Sequence, residues 1–104
     1  MSKRRIAEIQ RRIAAIQVEL APLQEMRPGS LTLQYKDPKI RRGAYYQLSY
    51  TWEMKSRTEY VPRERVREVR RQIASYKRFR ALTKRWIALS IEQCRLKMKL
   101  PPLS

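Results

Sequence analysis

Residues 63–100 contain no Gly and no Pro, which is a long uninterrupted stretch for a chain of 104 residues. Pro62 precedes the stretch with a fixed φ that suits a first helical turn, and Glu64 places an acid where the helix dipole favours one. The Pro pair at 101–102 cannot continue the hydrogen bonds of a helix. We therefore predict one helix over residues 62–100, about 57 Å long, around which the rest of the chain must be organised.

The positive charge is concentrated in the same stretch. Residues 63–104 contain 13 Lys or Arg and 3 Glu, so they carry +10 of the net charge of +16. A helix this basic repels itself unless a polyanion or counterions neutralise it. The charge distribution favours nucleic acid, DNA or RNA, as the partner. A solvated basic face that keeps a small protein in solution is the alternative.

The residue types that catalysis and metal binding need are scarce. The chain has no His, which removes the usual general base and the commonest metal ligand. Its nine carboxylates are scattered, and with only two glycines it has no Gly-rich phosphate loop. The single cysteine, Cys94, excludes an intramolecular disulfide, and we expect it to be buried as a small hydrophobe. We expect no enzyme activity, no metal, no cofactor and no small-molecule substrate.

Length and hydropathy predict one cytoplasmic domain. A chain of 104 residues is the size of a single domain. No apolar run approaches the ~18 residues that cross a bilayer, and the N-terminus does not resemble a secretory signal. The expected segments are a first helix (1–26), a turn, basic loop and β-hairpin (27–61), the long basic helix (62–100) and a tail (101–104). Within the middle segment, the turn is expected at residues 27–30 and the basic loop at residues 36–44.

The first helix is predicted over residues 3–21. Its apolar residues recur at alternating spacings of three and four, which is the a/d seam of a helix that pairs with another helix. Pro22 is expected to end or kink the helix. The seam consists of Ile6, Ile9, Ile13, Ile16, Leu20 and Leu23.

The middle of the chain predicts β-structure. Residues 45–52 alternate apolar and polar side chains, residues 53–56 connect, and residues 57–61 return as a second strand. Residues 31–35 alternate too and are a candidate third strand. The fold class is therefore α+β: an N-terminal helix, an antiparallel hairpin of two or three strands, and a long basic helix packed antiparallel or coiled-coil-like on the first. The aromatic face of residues 45–52 either joins the hairpin to the helices or stacks on bases.

The long helix has two apolar faces when its residues are placed about 100° apart. We expect the first face to pair with the first helix; it consists of Val66, Val69, Ile73, Tyr76, Ile87, Ile91, Cys94 and Met98. The second face lies roughly opposite, and we expect it to contact another copy of the chain or a larger protein partner. The predicted oligomer or partner interface is Phe79, Leu82, Trp86, Leu89, Leu96 and Leu100.

Basic residues along the long helix and in the middle segment are candidates for phosphate contact. Arginine binds phosphate oxygens through forked hydrogen bonds, and a ladder of cations can follow a nucleic-acid backbone. The candidate nucleic-acid-binding residues are Arg41, Arg42, Arg57, Arg67, Arg70, Arg71, Lys77, Arg78, Lys84 and Arg85, with Tyr45 as a stacking residue.

Four short motifs resemble the signatures of a known family over about residues 27–95. Residues 28–31 read Pro-Gly-Ser-Leu, residues 43–50 resemble Gly-Pro-Tyr-Tyr-x-Leu-Ser-Tyr, residues 60–62 read Tyr-Val-Pro, and residues 76–82 read Tyr-x-x-Phe-Arg-x-Leu. Together they resemble a small prokaryotic domain family of unknown function found beside transposases and other mobile-element genes. The resemblance implies a mobile-element or other nucleoprotein context and names no activity.

The chain departs from that family in the loop before the Tyr-Tyr strand. Members carry several cysteines there, in a pattern suited to zinc, whereas residues 35–44 here contain no Cys or His and Ala44 replaces the proline. The expected function is a non-catalytic nucleic-acid-binding accessory protein with weak sequence preference. A protein-interaction or assembly module, whose two-faced helix self-associates or docks on an acidic partner, is the alternative.

Overall fold

The computed structural model describes residues 2–102, and it confirms the α+β class. The chain contains two helices and a three-stranded antiparallel sheet, so the candidate third strand is present. The elements in chain order are α1 (Ser2–Leu20), β1 (Ser30–Asp37), β2 (Arg42–Trp52), β3 (Lys55–Val61) and α2 (Val66–Met98).

The chain divides into two compact units. The sheet unit, Glu25–Lys77, contains the three strands and the beginning of α2. The helical unit, Met1–Gln24 with Arg78–Ser104, contains α1 and the remainder of α2. The expectation of one domain for residues 1–104 stays a prediction, and the tail expected at 101–104 lies partly outside the described residues.

The sheet is a meander with the order β1-β2-β3. Leu31 pairs with Leu48 and Tyr46 pairs with Val61, so the alternate residues of all three strands line up on one face. β1 and β2 extend further than the sequence indicated and leave only residues 38–41 as a turn. The basic loop expected at residues 36–44 is therefore mostly strand.

The connection between β2 and β3 is also tighter than expected. Trp52 pairs with Lys55, which leaves Glu53 and Met54 as a two-residue turn instead of the four-residue connection of the prediction. Both have positive φ (52° and 65°), as a type I′ hairpin turn requires. Asn and Gly are the residues that usually signal such a turn, and the sequence has neither here.

The core of the sheet unit lies between the sheet and the first turns of α2. Leu48, Val61, Val69 and Ile73 are buried together. Partly buried apolar side chains surround them: Leu31, Tyr46, Tyr50 and Val66. Of the two interpretations of the aromatic strand face, contact with a helix is therefore the one that the sheet unit shows. Trp52 is the exception, because it remains exposed.

Gly29 holds the chain close to β2 where it enters the sheet. Its φ is +130°, and a Cβ there would lie 2.7 Å from the Ser49 carbonyl oxygen and 2.9 Å from Leu48 Cδ1. The Pro-Gly turn predicted at residues 27–30 thus leads directly into β1. Only glycine fits this backbone conformation and this spacing without strain.

In the helical unit, α1 and the C-terminal part of α2 pack antiparallel. Arg5 near the start of α1 forms an ion pair with Glu92 near the end of α2, and Glu19 near the end of α1 pairs with Arg78. Three residues of the predicted α1 seam are buried, namely Ile6, Ile9 and Ile16. The α1 helix ends at Leu20, as the proline at position 22 predicts.

The assignment of the two faces of α2 was wrong within the helical unit. Leu82, on the second face, is 4% exposed, whereas Ile87 on the first face is 60% exposed. The first face is interrupted by Arg80 and Thr83, but the second presents bulky side chains at nearly unbroken three- and four-residue spacing. That larger continuous surface is what α1 covers, because buried apolar area decides which face packs. Cys94, on the uncovered first face, is exposed and not buried as predicted.

The start of the long helix differs slightly from the prediction. Pro62 (φ −59°, ψ 146°) precedes a 3₁₀ turn at Arg63–Arg65, and α2 itself begins at Val66. Tight 3₁₀ turns are common at helix N-termini. The helix ends at Met98, so its 33 residues span about 50 Å.

Candidate nucleic-acid interface

Four exposed cations of the sheet unit lie on one side of α2. At about 100° per residue, they occupy roughly 120° of the helix circumference, on both sides of Ala74. This basic face of α2 consists of Arg67, Arg70, Arg71 and Lys77. No carboxylate lies within this sector of α2; Glu68 projects about 60° beyond Arg71 and is paired with Arg65. They are spread over about 15 Å of helix axis, whereas duplex DNA carries about one phosphate charge per 1.7 Å.

An open cleft of about 360 Å³ adjoins the basic face. Leu31 and Ile73 line it with apolar side chains, Gly29 contributes backbone, and Arg70 and Lys77 add positive charge. The guanidinium of Arg70 lies 5.9 Å from the centre of the Tyr46 ring. This cation–π contact orients Arg70, so one cation of the face is held in place before any ligand binds.

A second cavity, of about 250 Å³, combines aromatic and basic side chains on the sheet. Tyr45, Tyr60 and Arg63 line it, and the two tyrosine rings are 6.5 Å apart at a tilt of 38°. Both tyrosines alternate with core residues along their strands, so they lie on the face of the sheet opposite to α2. Tyr60 is 69% exposed, so a base has access to its ring.

Tyr60 and Arg63 were not among the sequence candidates. With the expected four-residue connection, Tyr60 would lie opposite Ser49; the two-residue turn shifts the register and pairs it with Gln47, beside Tyr45. The pairing of Trp52 with Lys55 and the positive φ values at residues 53–54 reveal this turn, and the residue types there do not signal it. Arg63 was counted only as part of the long helix, whereas it begins the 3₁₀ turn next to the end of β3.

Tyr46 and Tyr50 belong to the aromatic face of β2 that was considered for base stacking. Tyr50 instead makes its contacts within the sheet unit. Its hydroxyl donates to Glu59 Oε1 (2.9 Å), and Arg27 lies over its ring and donates to Glu59 Oε2 (2.7 Å). The hydrogen bond from Arg27, with that from Tyr50, lowers the pKa of the Glu59 carboxyl below its ordinary value. This cluster ties the segment before β1 to β2 and β3, a structural role.

The remaining candidates of the sheet unit lie away from the basic face of α2. Arg41 ends the β1–β2 turn with a φ of 53°, and Arg42 begins β2 opposite Asp37. Arg57 lies on β3 opposite Tyr50 and is exposed. The turn therefore presents an exposed basic tip of its own, with Lys39 beside Arg41.

The candidates of the helical unit are in a different electrostatic setting. Arg78 donates to Glu19 Oε1 at 2.6 Å, so its charge is partly offset within the chain. Lys84 and Arg85 are exposed. From the sequence alone, Arg78 is as good a candidate for phosphate contact as Arg67 and Arg71. The spacing of residues along α2 contains no information about which acids of α1 lie nearby.

Each of the three carboxylates of the helical unit accepts a hydrogen bond from an arginine. Arg5 donates to Glu92, Arg12 donates to Glu8, and Glu19 is held by Arg78. Hydrogen bonds from Arg5 lower the pKa of both the Glu92 and the Glu8 carboxyl. The unit has 12 Lys or Arg, so its net charge of +9 remains after these pairs form.

The predicted oligomer interface falls on the covered side of α2. Leu82 is buried, and the other five are half-buried: Phe79, Trp86, Leu89, Leu96 and Leu100. Self-association through these residues stays a prediction. The large exposed apolar side chains in the C-terminal part of this helix are instead Ile87, Ile91 and Met98 of the first face.

Residues 2–102, the part of the chain that the structure describes, contain neither a metal-ion site nor a membrane-spanning helix. No three His, Cys, Asp or Glu side chains there lie close enough to hold a metal ion. In the same part of the chain, neither helix combines the length and apolar character that crossing a bilayer requires.

The family assignment rests on a sequence model for a family described as a domain of unknown function, DUF6788, which matches residues 3–71. The chain belongs to this family. The DUF6788 match includes α1, the sheet and the first turns of α2, with Arg67, Arg70 and Arg71 near its end. Lys77 and the C-terminal part of α2 follow it. Neither a curated protein nor a solved structure matches the chain significantly.

Proposed function

We propose that this DUF6788 protein is a non-catalytic nucleic-acid-binding accessory protein that contacts the phosphate backbone with weak sequence preference. The observation that supports it most directly is the basic face of α2, four exposed cations with no carboxylate between them. A polyanion lowers the repulsion among these side chains and releases its counterions on binding, which makes the contact favourable.

The distribution of charge over the sheet unit supports the same function. The unit contains 13 Lys or Arg and 6 Asp or Glu, and Glu59 and Glu68 are already paired with Arg27 and Arg65. Phosphate contacts carry no sequence information, so cations alone predict backbone contact with weak sequence preference. The resemblance to a family found beside mobile-element genes adds a nucleoprotein complex as the setting.

The experiment is a salt titration with the full chain. A fluorescent DNA duplex and an RNA hairpin should each bind at low salt, with log Kobs falling linearly as log salt rises. Arg67→Glu with Arg71→Glu should weaken binding at least ~10-fold and reduce the slope by roughly 2, because each phosphate contact contributes about 0.9.

Lys97→Glu with Lys99→Glu is the matched control, since it changes the net charge equally at the C-terminal end of α2 and just beyond it. It should retain most of the affinity and the slope. Affinity that does not depend on salt would rule out phosphate neutralisation. Equal losses in both double variants would show that net charge acts and that the basic face does not.

Single strands provide a second test of the same function. Base stacking on aromatic rings is worth about 1–3 kcal/mol per base. If the cavity beside Tyr45 and Tyr60 takes a base, Tyr60→Ala should weaken binding of a single-stranded RNA at least ~5-fold and leave the duplex unchanged. Tyr35→Ala, at a half-buried tyrosine of β1, is the control for loss of an aromatic side chain. An equal loss for duplex and single strand would exclude stacking.

A further inference from the structure

An apolar stripe remains exposed along the last three turns of α2. Its exposed fractions are 60% at Ile87, 50% at Ile91 and 85% at Met98, and Cys94 is exposed between them. The four residues, here called the exposed stripe, follow one another at spacings of four, three and four. This is the a/d pattern of a helix that pairs with a second helix.

The exposed stripe lines an open groove of about 580 Å³ together with Thr83, Trp86, Ser90 and Arg95. Within the helical unit α1 occupies the side of α2 that carries Leu82, so α1 does not cover the groove. Isolated exposed apolar residues are ordinary, but a contiguous row with helical spacing marks an interaction surface.

The charge next to the stripe selects the kind of partner. Lys84 continues the stripe one turn before Ile87, at the a position of the same repeat, and Arg95 lies at its edge, about 70° from the centre of the stripe. Glu92 is the only carboxylate in residues 78–102, and it is bonded to Arg5 on the side of α1. Two copies of this surface placed face to face would bring cations against cations with no acid to offset them.

We propose that the exposed stripe binds an acidic amphipathic helix of another protein. Its apolar residues, at the same three- and four-residue spacing, would pack on Ile87, Ile91 and Met98. Its Asp or Glu residues would pair with Lys84 at the N-terminal end of the stripe and with Arg95 at its edge, where the e position of a coiled coil carries charge. This inference does not depend on nucleic-acid binding, because phosphate gains nothing from an apolar stripe.

The probes are three labelled synthetic peptides of three heptads. One has Leu at a and d and Glu at e and g, one has Lys in place of Glu, and one is a scramble of the acidic peptide. Fluorescence anisotropy with the full chain should show binding of the acidic amphipathic peptide at least ~10-fold tighter than of the other two. Equal binding of the scramble would mean that charge alone attracts the peptide, which overturns the proposal.

Variants at the surface make the test specific. Ile87→Ser with Ile91→Ser should reduce binding of the acidic peptide at least ~10-fold. Val18→Ser, at an exposed apolar residue of α1, should not change it. Lys84→Glu with Arg95→Glu should transfer the preference to the Lys peptide. All three sets change exposed side chains, and far-UV circular dichroism verifies that the helices remain. Unchanged affinity in the Ile87 and Ile91 variant would overturn the proposal.

The thiol of Cys94 gives an independent readout at the stripe. Saturating acidic peptide should slow its alkylation several-fold, whereas the scramble should not.

Light scattering tests the competing occupant, a second copy of the chain. A dimer that becomes a monomer on Ile87→Ser with Ile91→Ser would assign the stripe to self-association and overturn the acidic partner. Arg67→Glu with Arg71→Glu should leave peptide binding intact, which separates this proposal from the proposed function.

Discussion

Arg5 and Glu92 lie 87 positions apart in the chain and form a forked ion pair, with Arg5 Nε 2.6 Å from Glu92 Oε2 and Arg5 Nη2 2.9 Å from Oε1. The pair joins the first turns of α1 to the last turns of α2. With the Arg78–Glu19 pair at the other end, it fixes the antiparallel arrangement of the two helices.

The Arg5–Glu92 pair is expected to specify alignment more than to supply stability. Both side chains are more than one third exposed, so solvent screens the interaction. Glu92→Gln should lower Tm by a few degrees at most, and 0.5 M NaCl should remove most of the difference. A double-mutant cycle with Arg5→Met and Glu92→Met, measured by thermal unfolding at two salt concentrations, checks this. A large coupling that salt does not change would contradict it.

Truncating a side chain should cost much more unfolding free energy on one face of α2 in the helical unit than on the other. Leu82→Ala removes a buried side chain and should cost ~2–5 kcal/mol of unfolding free energy. Ile87→Ala, one and a half turns further along, removes an exposed side chain and should change it by less than ~0.5 kcal/mol. Urea unfolding followed by circular dichroism measures both. The reverse order would mean that α1 covers the first face, as the sequence alone suggested.

The two glycines of the chain should differ in their tolerance of alanine. Gly29→Ala places a Cβ against a backbone oxygen and the fully buried Leu48, and should destabilise the sheet unit by more than ~2 kcal/mol. Gly43→Ala, at a φ of +70°, places its Cβ 2.9 Å from the Cβ of Lys36, but at the exposed end of the sheet and away from the core, and should cost less, ~1–2 kcal/mol. Urea unfolding of the two variants gives the comparison. Equal costs would show that backbone conformation alone determines the effect.

Acid should weaken the Arg27–Glu59–Tyr50 cluster. The pKa of Glu59 is lower in the folded chain than its ordinary value of 4.5, so the unfolded chain binds the proton more tightly. The stability from this group is therefore present above about pH 4.5 and is lost as the pH falls through the lower, folded pKa. Its size should be below ~1 kcal/mol, because Glu59 is 45% exposed.

Glu59→Gln tests this contribution. The variant should be less stable than the wild type at pH 7, and the difference should shrink between pH 5 and pH 3. Glu25→Gln makes the same charge change at the start of the sheet unit and should keep the wild-type pH dependence. Urea midpoints across this pH range provide the measurement, and a difference that grows on acidification would contradict the assignment.

The sequence by itself determined the elements and much of their chemistry. Prolines mark where the helices can begin and end. Pro22 and the Pro pair at 101–102 follow helix ends, because proline cannot continue the hydrogen bonds of a helix, and Pro62 precedes the start of the long helix. Alternation along residues 45–52 determined which strand face meets α2. The concentration of Lys and Arg in residues 63–104 is likewise a property of composition that no fold can change.

Tertiary structure alone decided which surfaces remain open. Residues on both faces of α2 are apolar, and only the docking of α1 on Leu82 leaves Ile87 and Ile91 exposed. The two-residue turn at Glu53 and Met54 set the register that brings Tyr60 beside Tyr45. Such choices depend on competing burial areas and on contacts between residues distant in sequence, and local spacing contains neither.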